Sequence, residues 1–281
     1  MRAPAEVKIS IVVPTYNRPD ALAMVLRALA DQQEGDFEVL VADDSSGPET
    51  AATIARLAPD LPYALHHVWQ PDEGFRLAMI RNRAIATASG DYLLFLDGDC
   101  LPLPDYVAQH RRLAAPGWFV TGNRILLSPG LTRRAIEWGF AIWKWGRLAW
   151  IKARLQGDIH LLVPLLRLRN RSQVRETWIG TEGCNMAAWR SDCLALNGFD
   201  ESFVGWGYED SDFAQRLLLS GCRRRATRWN VPVLHLWHQA GGQAGQNTAN
   251  QALFEEAVAS GRVRVERGVD QYLATGRSMA S

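Results

Sequence analysis

Apolar residues recur along the first hundred positions in a pattern that predicts alternating strands and helices. Short apolar runs at Val7–Val13, Phe37–Ala42 and Tyr63–Trp69 predict strands. The residues from Asp20 onward, and then Thr50–Leu57, carry apolar side chains at helical spacing. Such alternation is typical of a doubly wound, mostly parallel sheet in the α/β class. Right-handed crossovers then place the loops that follow these strands along one edge of the sheet.

The run Tyr92–Leu96 consists of five bulky apolar or aromatic residues and ends in Asp97-Gly98-Asp99. A continuous apolar run predicts a strand that is buried on both faces. In open α/β sheets, ligands bind beyond the carboxyl ends of the strands. Carboxylates there suit Mg²⁺ or Mn²⁺, ions that usually carry the phosphates of a substrate. The alternative for an isolated Asp-x-Asp is an acidic turn that only ends the strand.

Arg81 interrupts the apolar face of a helix predicted over Phe75–Ser89 and closed by Gly90. An arginine on such a face needs an anionic partner. One interpretation is a structural ion pair with a strand-end aspartate. The other is a contact to a diphosphate, or to the carboxylate that holds a metal ion.

A second acidic motif follows a tryptophan that lies between two glycines. Gly205-Trp206-Gly207 precedes Glu209, Asp210 and Asp212, and these acids open a helix that Gly221 ends. Acidic residues in a first helical turn are stabilised by the helix dipole, which is sufficient to explain Asp212. A saccharide site explains the tryptophan as well, because an aromatic ring stacks on a sugar and a carboxylate accepts the proton of an attacking hydroxyl.

Two histidines end the last apolar run of the chain, Val231–His238. A histidine at the end of a strand is commonly a core residue, but imidazole is also an acceptable ligand for Mn²⁺. We predict His235 as a metal ligand, with His238 as the alternative or as a diphosphate contact.

Composition restricts the class of protein. The 281 residues carry a net charge of +1, which gives no overall basic field for nucleic acid. The four cysteines show no paired spacing and indicate reduced thiols in a cytoplasmic protein. We find no signal segment and no apolar run of membrane-spanning length, so we expect a soluble or peripheral protein. The basic run Arg223–Arg225 is expected to lie in a solvated loop.

The motifs together resemble family 2 glycosyltransferases of the GT-A fold. The resemblance lies in Pro14–Arg18, Asp43–Ser46, Gly74–Arg76 with Arg81-Asn82-x-Ala84, and Asp97–Asp99, in that order. The later motif Trp206-Gly207-x-Glu209-Asp210-x-Asp212 is similar to the WGxEDxD element of galactosyltransferase-like and chondroitin-synthase-like members.

The resemblance implies a role for each matching residue. The nucleotide-sugar would contact Pro14, Thr15, Tyr16, Arg18, Asp44, Arg76, Arg81, Asp97 and Gly98. Asp99 and His235 would bind Mn²⁺ or Mg²⁺, with Asp97 and His238 as weaker candidates. Asp210 would be the general base, Glu209 would bind donor or acceptor hydroxyls, and Trp206 would be the acceptor platform with Gly207 and Asn185 beside it.

Four segments follow from this assignment. We predict a nucleotide-sugar-binding half at 1–125, a Trp-rich and basic helical insertion at 126–180, an acceptor-binding and catalytic half at 181–245, and a closing helix with a tail at 246–281. The aromatic residues of the insertion either pack on the catalytic domain or roof the acceptor site. Alternatively, tryptophan among basic residues lies in a membrane interface, on the inner face of the membrane.

The expected function is metal-dependent transfer of a sugar, most simply from a UDP-sugar, with inversion at the anomeric carbon. The acceptor would be a saccharide or a lipid-linked saccharide. A sugar nucleotidyltransferase would carry a glycine-rich loop where Pro14-Thr15-Tyr16-Asn17 stands. A non-catalytic saccharide-binding protein would have lost part of the acidic motifs, and a dinucleotide oxidoreductase would show GxGxxG after the first strand.

Overall fold

The computed structural model describes residues 7–166, 172–227, 230–239 and 244–273. The strands are β1 Ile9–Thr15, β2 Phe37–Asp43, β3 Ala64–Trp69, β4 Tyr92–Leu96, β5 Cys100–Pro102, β6 Trp118–Thr121, β7 Arg124–Leu126, β8 Gln173–Arg175, β9 Asn185–Trp189, β10 Arg223–Ala226 and β11 Val233–His235. The helices are α1 Pro19–Ala30, α2 Pro48–Leu57, α3 Leu77–Thr87, α4 Tyr106–Leu113, α5 Pro129–Trp138, α6 Arg147–Leu155, α7 Arg190–Ala195, α8 Glu209–Leu219, α9 Ala244–Ser260 and α10 Asp270–Leu273.

A large mixed sheet forms the centre of the fold, in the order β3-β2-β1-β4-β9-β6-β10-β8. Strands β3, β2, β1 and β4 are parallel, as predicted, so their carboxyl ends meet at one edge. Strand β9 lies antiparallel to both β4 and β6, which the sequence pattern did not indicate. A smaller sheet, β5-β11-β7, stands beside that edge. This architecture confirms the predicted α/β fold class.

The core lies on both faces of the large sheet. Ile11 and Val13 of β1 belong to one apolar cluster, whereas Val12 between them belongs to another. This alternation follows from the two-residue period of a strand whose two faces are both covered. All five residues of β4 are fully buried, in agreement with its unbroken apolar sequence.

Some predicted boundaries were wrong. Strand β1 continues through Thr15, and helix α3 covers Leu77–Thr87 rather than Phe75–Ser89. Gly90 does not cap this helix. It packs against β1 instead, where an added Cβ would lie 2.5 Å from the Ser10 hydroxyl oxygen.

The basic run Arg223–Arg225 is not a solvated loop but most of strand β10, which pairs with β6. Arg224 is buried, and its guanidinium donates hydrogen bonds to the Thr121 hydroxyl and to the carbonyls of Thr177, Ile179 and Gly180. These carbonyls accept the hydrogen bonds of the guanidinium, whereas the predicted loop would have left it hydrated by water.

The tryptophan-rich segment divides its aromatic residues between core and surface. Trp143 and Trp150 are buried in the main apolar cluster, as the packing interpretation requires. Trp138 and Phe140 are exposed and touch each other, with ring centroids 5.3 Å apart. Within the described residues, no helix is long and apolar enough to cross a bilayer.

His110 of α4 gives the fold a dependence on pH. Its ring is fully buried beside Tyr106, and burial lowers the pKa of His110 to about 3. In the unfolded chain His110 binds a proton as the pH falls below about 6.5, whereas in the folded chain it does so only near pH 3. Stability from the neutral ring is complete above pH 6.5 and is lost as the pH falls towards 3.

We expect His110→Phe, which retains an aromatic ring, to remove the part of the pH-dependent stability that comes from His110. The free energy of unfolding from urea titrations should fall less between pH 7 and pH 4 than in the parent chain, by roughly 3 kcal/mol. Above pH 7 the two curves should run parallel. Equal slopes down to pH 4 would contradict the assignment to His110.

Candidate functional site

Asp97, Gly98 and Asp99 directly follow β4 at the carboxyl edge of the parallel strands. Gly98 donates its backbone N–H to the carbonyl of Pro14, and an added Cβ there would lie 2.5 Å from the same oxygen. Only glycine permits this approach. This hydrogen bond between Pro14 and Gly98 joins the ends of β1 and β4. Both residues are predicted to line the donor site, and both are positioned through backbone atoms.

Asp99 faces two histidines that come much later in the chain. Its carboxylate oxygens lie 3.7 Å from Nε2 of His235 and 3.4 Å from Nε2 of His238. The cause is the small sheet, in which His235 of β11 pairs with Cys100 of β5. Leu236 also donates its N–H to the backbone carbonyl of Asp99.

This donor set suits a divalent cation. One side-chain donor atom each of Asp99, Cys100 and His235 lies within 4.8 Å of the others. Burial lowers the pKa of His235, which favours the neutral imidazole that a metal ion requires. Burial raises the pKa of Cys100, so its thiol stays protonated and is a poor ligand. Carboxylate and imidazole donors therefore fit Mn²⁺ better than a thiolate-seeking metal.

Cys100 was missed as a member of this cluster by the sequence reading. Its position directly after Asp99 was visible, but no spacing to a second cysteine or histidine singled it out. All four cysteines are free in the structure.

Arg81 lies at the centre of an acidic cluster. Its side chain is fully buried, with Nη2 3.1 Å from Oδ1 of Asp97 and Nη1 3.1 Å from Oε1 of Glu209. The structure thus confirms the ion pair with a strand-end aspartate and adds a second carboxylate from α8. Burial and, to a lesser extent, neighbouring Asp210 raise the pKa of Glu209 to about 7 against the opposing effect of Arg81. Burial likewise raises the pKa of Asp97 to about 6 against the effect of Arg81.

Asp210 opens helix α8 next to this cluster. Its Oδ2 accepts a hydrogen bond of 2.7 Å from the N–H of Gly183, and its Oδ1 accepts one of 2.7 Å from the N–H of Ser211. An added Cβ at Gly183 would lie 2.9 Å from Cβ of Asp210, which explains the glycine at that position. The Ser211 hydroxyl also donates to Oδ1 of Asp210, at 3.3 Å. These three donors hold the carboxylate in place and leave it a lone pair for another proton.

The loop before α8 exposes Trp206 while the backbone around it is fixed. Gly205, Gly207 and Tyr208 all have positive φ. The amide of Asn250 on α9 donates to the carbonyls of Val204, Trp206 and Gly207 at 3.1, 3.3 and 3.0 Å. Asn250 was missed from the sequence because nothing in its helical surroundings pointed to a loop elsewhere in the chain.

Asn185, a predicted acceptor contact, lies in the interior of the fold. It is fully buried, and its amide donates to the carbonyls of Asn123 and Val231, 3.1 and 2.6 Å away. These bonds connect β9 to neighbouring segments, which is a structural role.

The remaining donor-site candidates lie along the ends of β1, β2 and β3. Asp44 is buried and accepts hydrogen bonds from the N–H of Arg76 and from the amide of Gln70. Burial raises the pKa of Asp44, and both of these bonds oppose the shift. Gln70, which ends β3 in the same way that Asp44 ends β2, was missed because an amide carries no obvious chemistry.

The loop after β1 carries the more accessible candidates. Tyr16 is exposed in this loop, whereas Thr15 is buried at the end of β1 and its carbonyl accepts the N–H of Asp44. Arg18 pairs with Asp20 at 3.1 Å on the surface. Ser46 accepts the N–H of Asn17 on its hydroxyl, so the loops after β1 and β2 are fastened to each other.

We expect Arg81→Met to destabilise the chain by about 3 kcal/mol or more, because buried Glu209 and partly buried Asp97 lose their shared cation. Urea unfolding at pH 8, where both acids are ionised in the unfolded chain, would measure the change. Arg83→Met on the same helix is the matched control, since Arg83 is only half-buried and stacks on Tyr272. An equal decrease in the free energy of unfolding of the two variants would show that the Arg81 ion pairs do not stabilise the fold more than an ordinary arginine contact does.

Two family models together match most of this chain. The family model described as glycosyl transferase family 2 matches residues 10–178, and the one described as N-terminal domain of galactosyltransferase matches residues 167–238. Validoxylamine A glucosyltransferase of Streptomyces hygroscopicus subsp. jinggangensis is 31% identical over 81% of this chain and 56% of its own length. Chondroitin synthase of Escherichia coli is 30% identical over 78% of this chain and 33% of its own. The chain thus spans about half, or less, of the length of these relatives.

Solved structures show the same fold at low sequence identity. The S. aureus TarS fragment 1–349 in complex with UDP has a TM-score of 0.61 and 15% identity, and the match covers 96% of this chain and 70% of that one. The mannosyltransferase of Pyrobaculum calidifontis in complex with GDP-Man and Mn²⁺ has a TM-score of 0.57 and 19% identity, covering 100% and 82%. With the family 2 model matching more than half of its residues, this chain belongs to glycosyl transferase family 2.

Proposed function

We propose that this chain transfers a sugar from a nucleotide-sugar donor, specifically a UDP-sugar, to a hydroxyl group of a saccharide acceptor. The observation that carries the proposal is the meeting of two acidic motifs through one buried cation. Arg81 joins Asp97 of the strand-end motif to Glu209, which directly precedes Asp210. A family 2 chain with a donor-side motif and a candidate base held in one cluster has the parts that glycosyl transfer requires.

The donor would lie along the ends of β1–β4. Residues 1–125 would bind the nucleotide-sugar, and 181–245 would supply acceptor contacts and the base. UDP is the nucleotide in the TarS complex, whereas GDP-Man is bound in the mannosyltransferase, so the similar folds accommodate both. Our choice of UDP rests on the resemblance of the chain's motifs to galactosyltransferase-like enzymes.

Asp99 and His235 would hold Mn²⁺ or Mg²⁺, with His238 and Asp97 as further contacts. Such an ion, when bound, neutralises the charge that develops on a departing diphosphate. Asp99 is held in place by the small sheet through the N–H of Leu236, so the carboxylate is positioned by backbone rather than by a mobile loop.

Asp210 would act as general base. The acceptor oxygen forms a bond to the anomeric carbon as the bond from that carbon to the diphosphate breaks, and its electron pair leaves with the diphosphate. The proton of the acceptor hydroxyl passes to the Asp210 carboxylate, whose orientation Gly183 and Ser211 maintain. A single displacement of this kind inverts the anomeric configuration. Trp206, exposed in its glycine loop, would stack on the acceptor ring.

We expect Asp99→Ala to weaken Mn²⁺-dependent binding of UDP at least about tenfold, since it removes the only carboxylate that faces both histidines among the described residues. Calorimetric titration of UDP with Mn²⁺, and again with chelator, would measure this. Exposed His160→Ala is the control. Unchanged affinity in Asp99→Ala would remove Asp99 from the metal site.

We expect Asp210→Asn to abolish transfer while UDP still binds, because an amide retains the shape of the side chain and its acceptor for the Gly183 N–H but takes no proton. Nucleotide release from UDP-, GDP-, CMP- and dTDP-sugars, with and without saccharide acceptors, would identify the donor first. A loss of rate of about 100-fold or more is the expected size for a general base. Full activity in Asp210→Asn would exclude it as the base, and UDP binding without turnover in the parent chain would favour a binding protein.

A further inference from the structure

Helix α6 presents a row of apolar side chains to solvent. Leu148 and Leu155 are 83% and 84% exposed, and Ile151 between them is also exposed. At about 100° per residue, these three positions lie within about 60° of one another on the helix surface. Two fully exposed leucines on one stripe are unusual for a surface that faces only water.

The opposite face of α6 is firmly packed. Trp150 and Ala153 are buried, and the ring of Trp150 lies 5.1 Å from that of Trp145. Just before the helix, the indole N–H of Trp143 donates to Asp31 of the catalytic domain at 2.9 Å. The helix therefore cannot rotate to bury its leucines without losing this packing.

Basic residues flank the apolar stripe. Lys152 lies on one side of it, and Arg147 and Arg154 lie on the other, whereas α6 contains no acidic residue. Residues 129–155 as a whole carry six basic side chains against the single acid Glu137. Within the described part of the chain, only Arg134 and Lys144 of the six are in ion pairs, with Asp158 and Asp31.

Two further features belong to the segment of α5 and α6. Trp138 and Phe140, at the end of α5, are exposed as a contacting pair. Aromatic rings of this kind are favoured at the boundary between lipid headgroups and acyl chains. A cleft of about 520 Å³ lies between α5 and α6 and is lined by Arg134, Lys152 and Trp145, with Asp158 at its side.

We infer that the α5–α6 surface docks on an anionic phospholipid bilayer, with α6 lying in the plane of the interface. The leucine stripe enters the acyl boundary, and the flanking cations contact headgroup phosphates. A second copy of the chain fits less well, because a symmetric pairing would bring two net-positive faces together. This inference does not depend on the proposed function, since lipid binding requires neither donor nor metal.

Co-sedimentation of the whole chain with phosphatidylcholine vesicles, with and without phosphatidylglycerol, tests the inference. We expect binding only to the phosphatidylglycerol vesicles, and weaker binding at high salt. Leu148→Ser with Leu155→Ser should lower the partition coefficient about tenfold or more, because two exposed leucines lose their lipid contact. Val174→Ser with Ile179→Ser, an exposed apolar pair outside α5 and α6, is the matched control and should bind as the parent does.

Arg147→Gln, Lys152→Gln and Arg154→Gln together should remove the preference for phosphatidylglycerol. No binding of the parent chain to phosphatidylglycerol vesicles would overturn the inference. Equal loss in the control pair would overturn it too, because the effect would then not belong to α6. If the leucine variant instead changes the mass measured by sedimentation equilibrium, the stripe is an interface between two copies.

Discussion

The buried guanidinium of Arg81 is the interaction on which the arrangement of the site depends. A charge in the interior is tolerated only with partners, and Arg81 has one from each half of the chain, Asp97 after β4 and Glu209 at the start of α8. Without the guanidinium, the negative charges of these two carboxylates would destabilise the folded state. Helix α3, the end of β4 and the start of α8 therefore adopt one mutual position. That position brings Asp210 to the edge of the sheet where Asp99 and its histidines lie.

Backbone contacts fix the rest of the site more than side-chain contacts do. Gly98 approaches the carbonyl of Pro14, and Gly183 approaches Asp210, at distances that no Cβ permits. Asn250 lies on a helix outside the acidic sequence motifs and donates to three carbonyls of the Trp206 loop. The exposed groups that would meet ligands are thus carried on segments whose backbone is already satisfied. Such preorganisation reduces the ordering that ligand binding would otherwise require.

The aromatic insertion shows how one composition serves two environments. Trp143 and Trp150 complete the core on one side of the segment, and Leu148, Leu155 and Trp138 remain outside. The sequence left core packing and a membrane interface as alternatives. The structure confirms core packing for Trp143 and Trp150. It also leaves one face of α6 exposed, because a helix of this length has two faces with different neighbours. The exposed face and the acidic site lie on separate elements, α6 and α8.

The sequence by itself determined the parallel orientation of β1–β4, the burial of Tyr92–Leu96 and the gathering of acidic motifs at strand ends. These features follow from local periodicity and from the right-handed crossover, which act over short stretches of chain. Only the tertiary structure decided which distant residues meet. Asn185 is buried because β9 pairs antiparallel with β4. Arg224 is buried because β10 pairs with β6, and His235 lies near Asp99 because β11 pairs with β5. Pairing between strands that are far apart in the sequence depends on the free energy of the whole packed sheet. No single segment of the sequence therefore predicts it.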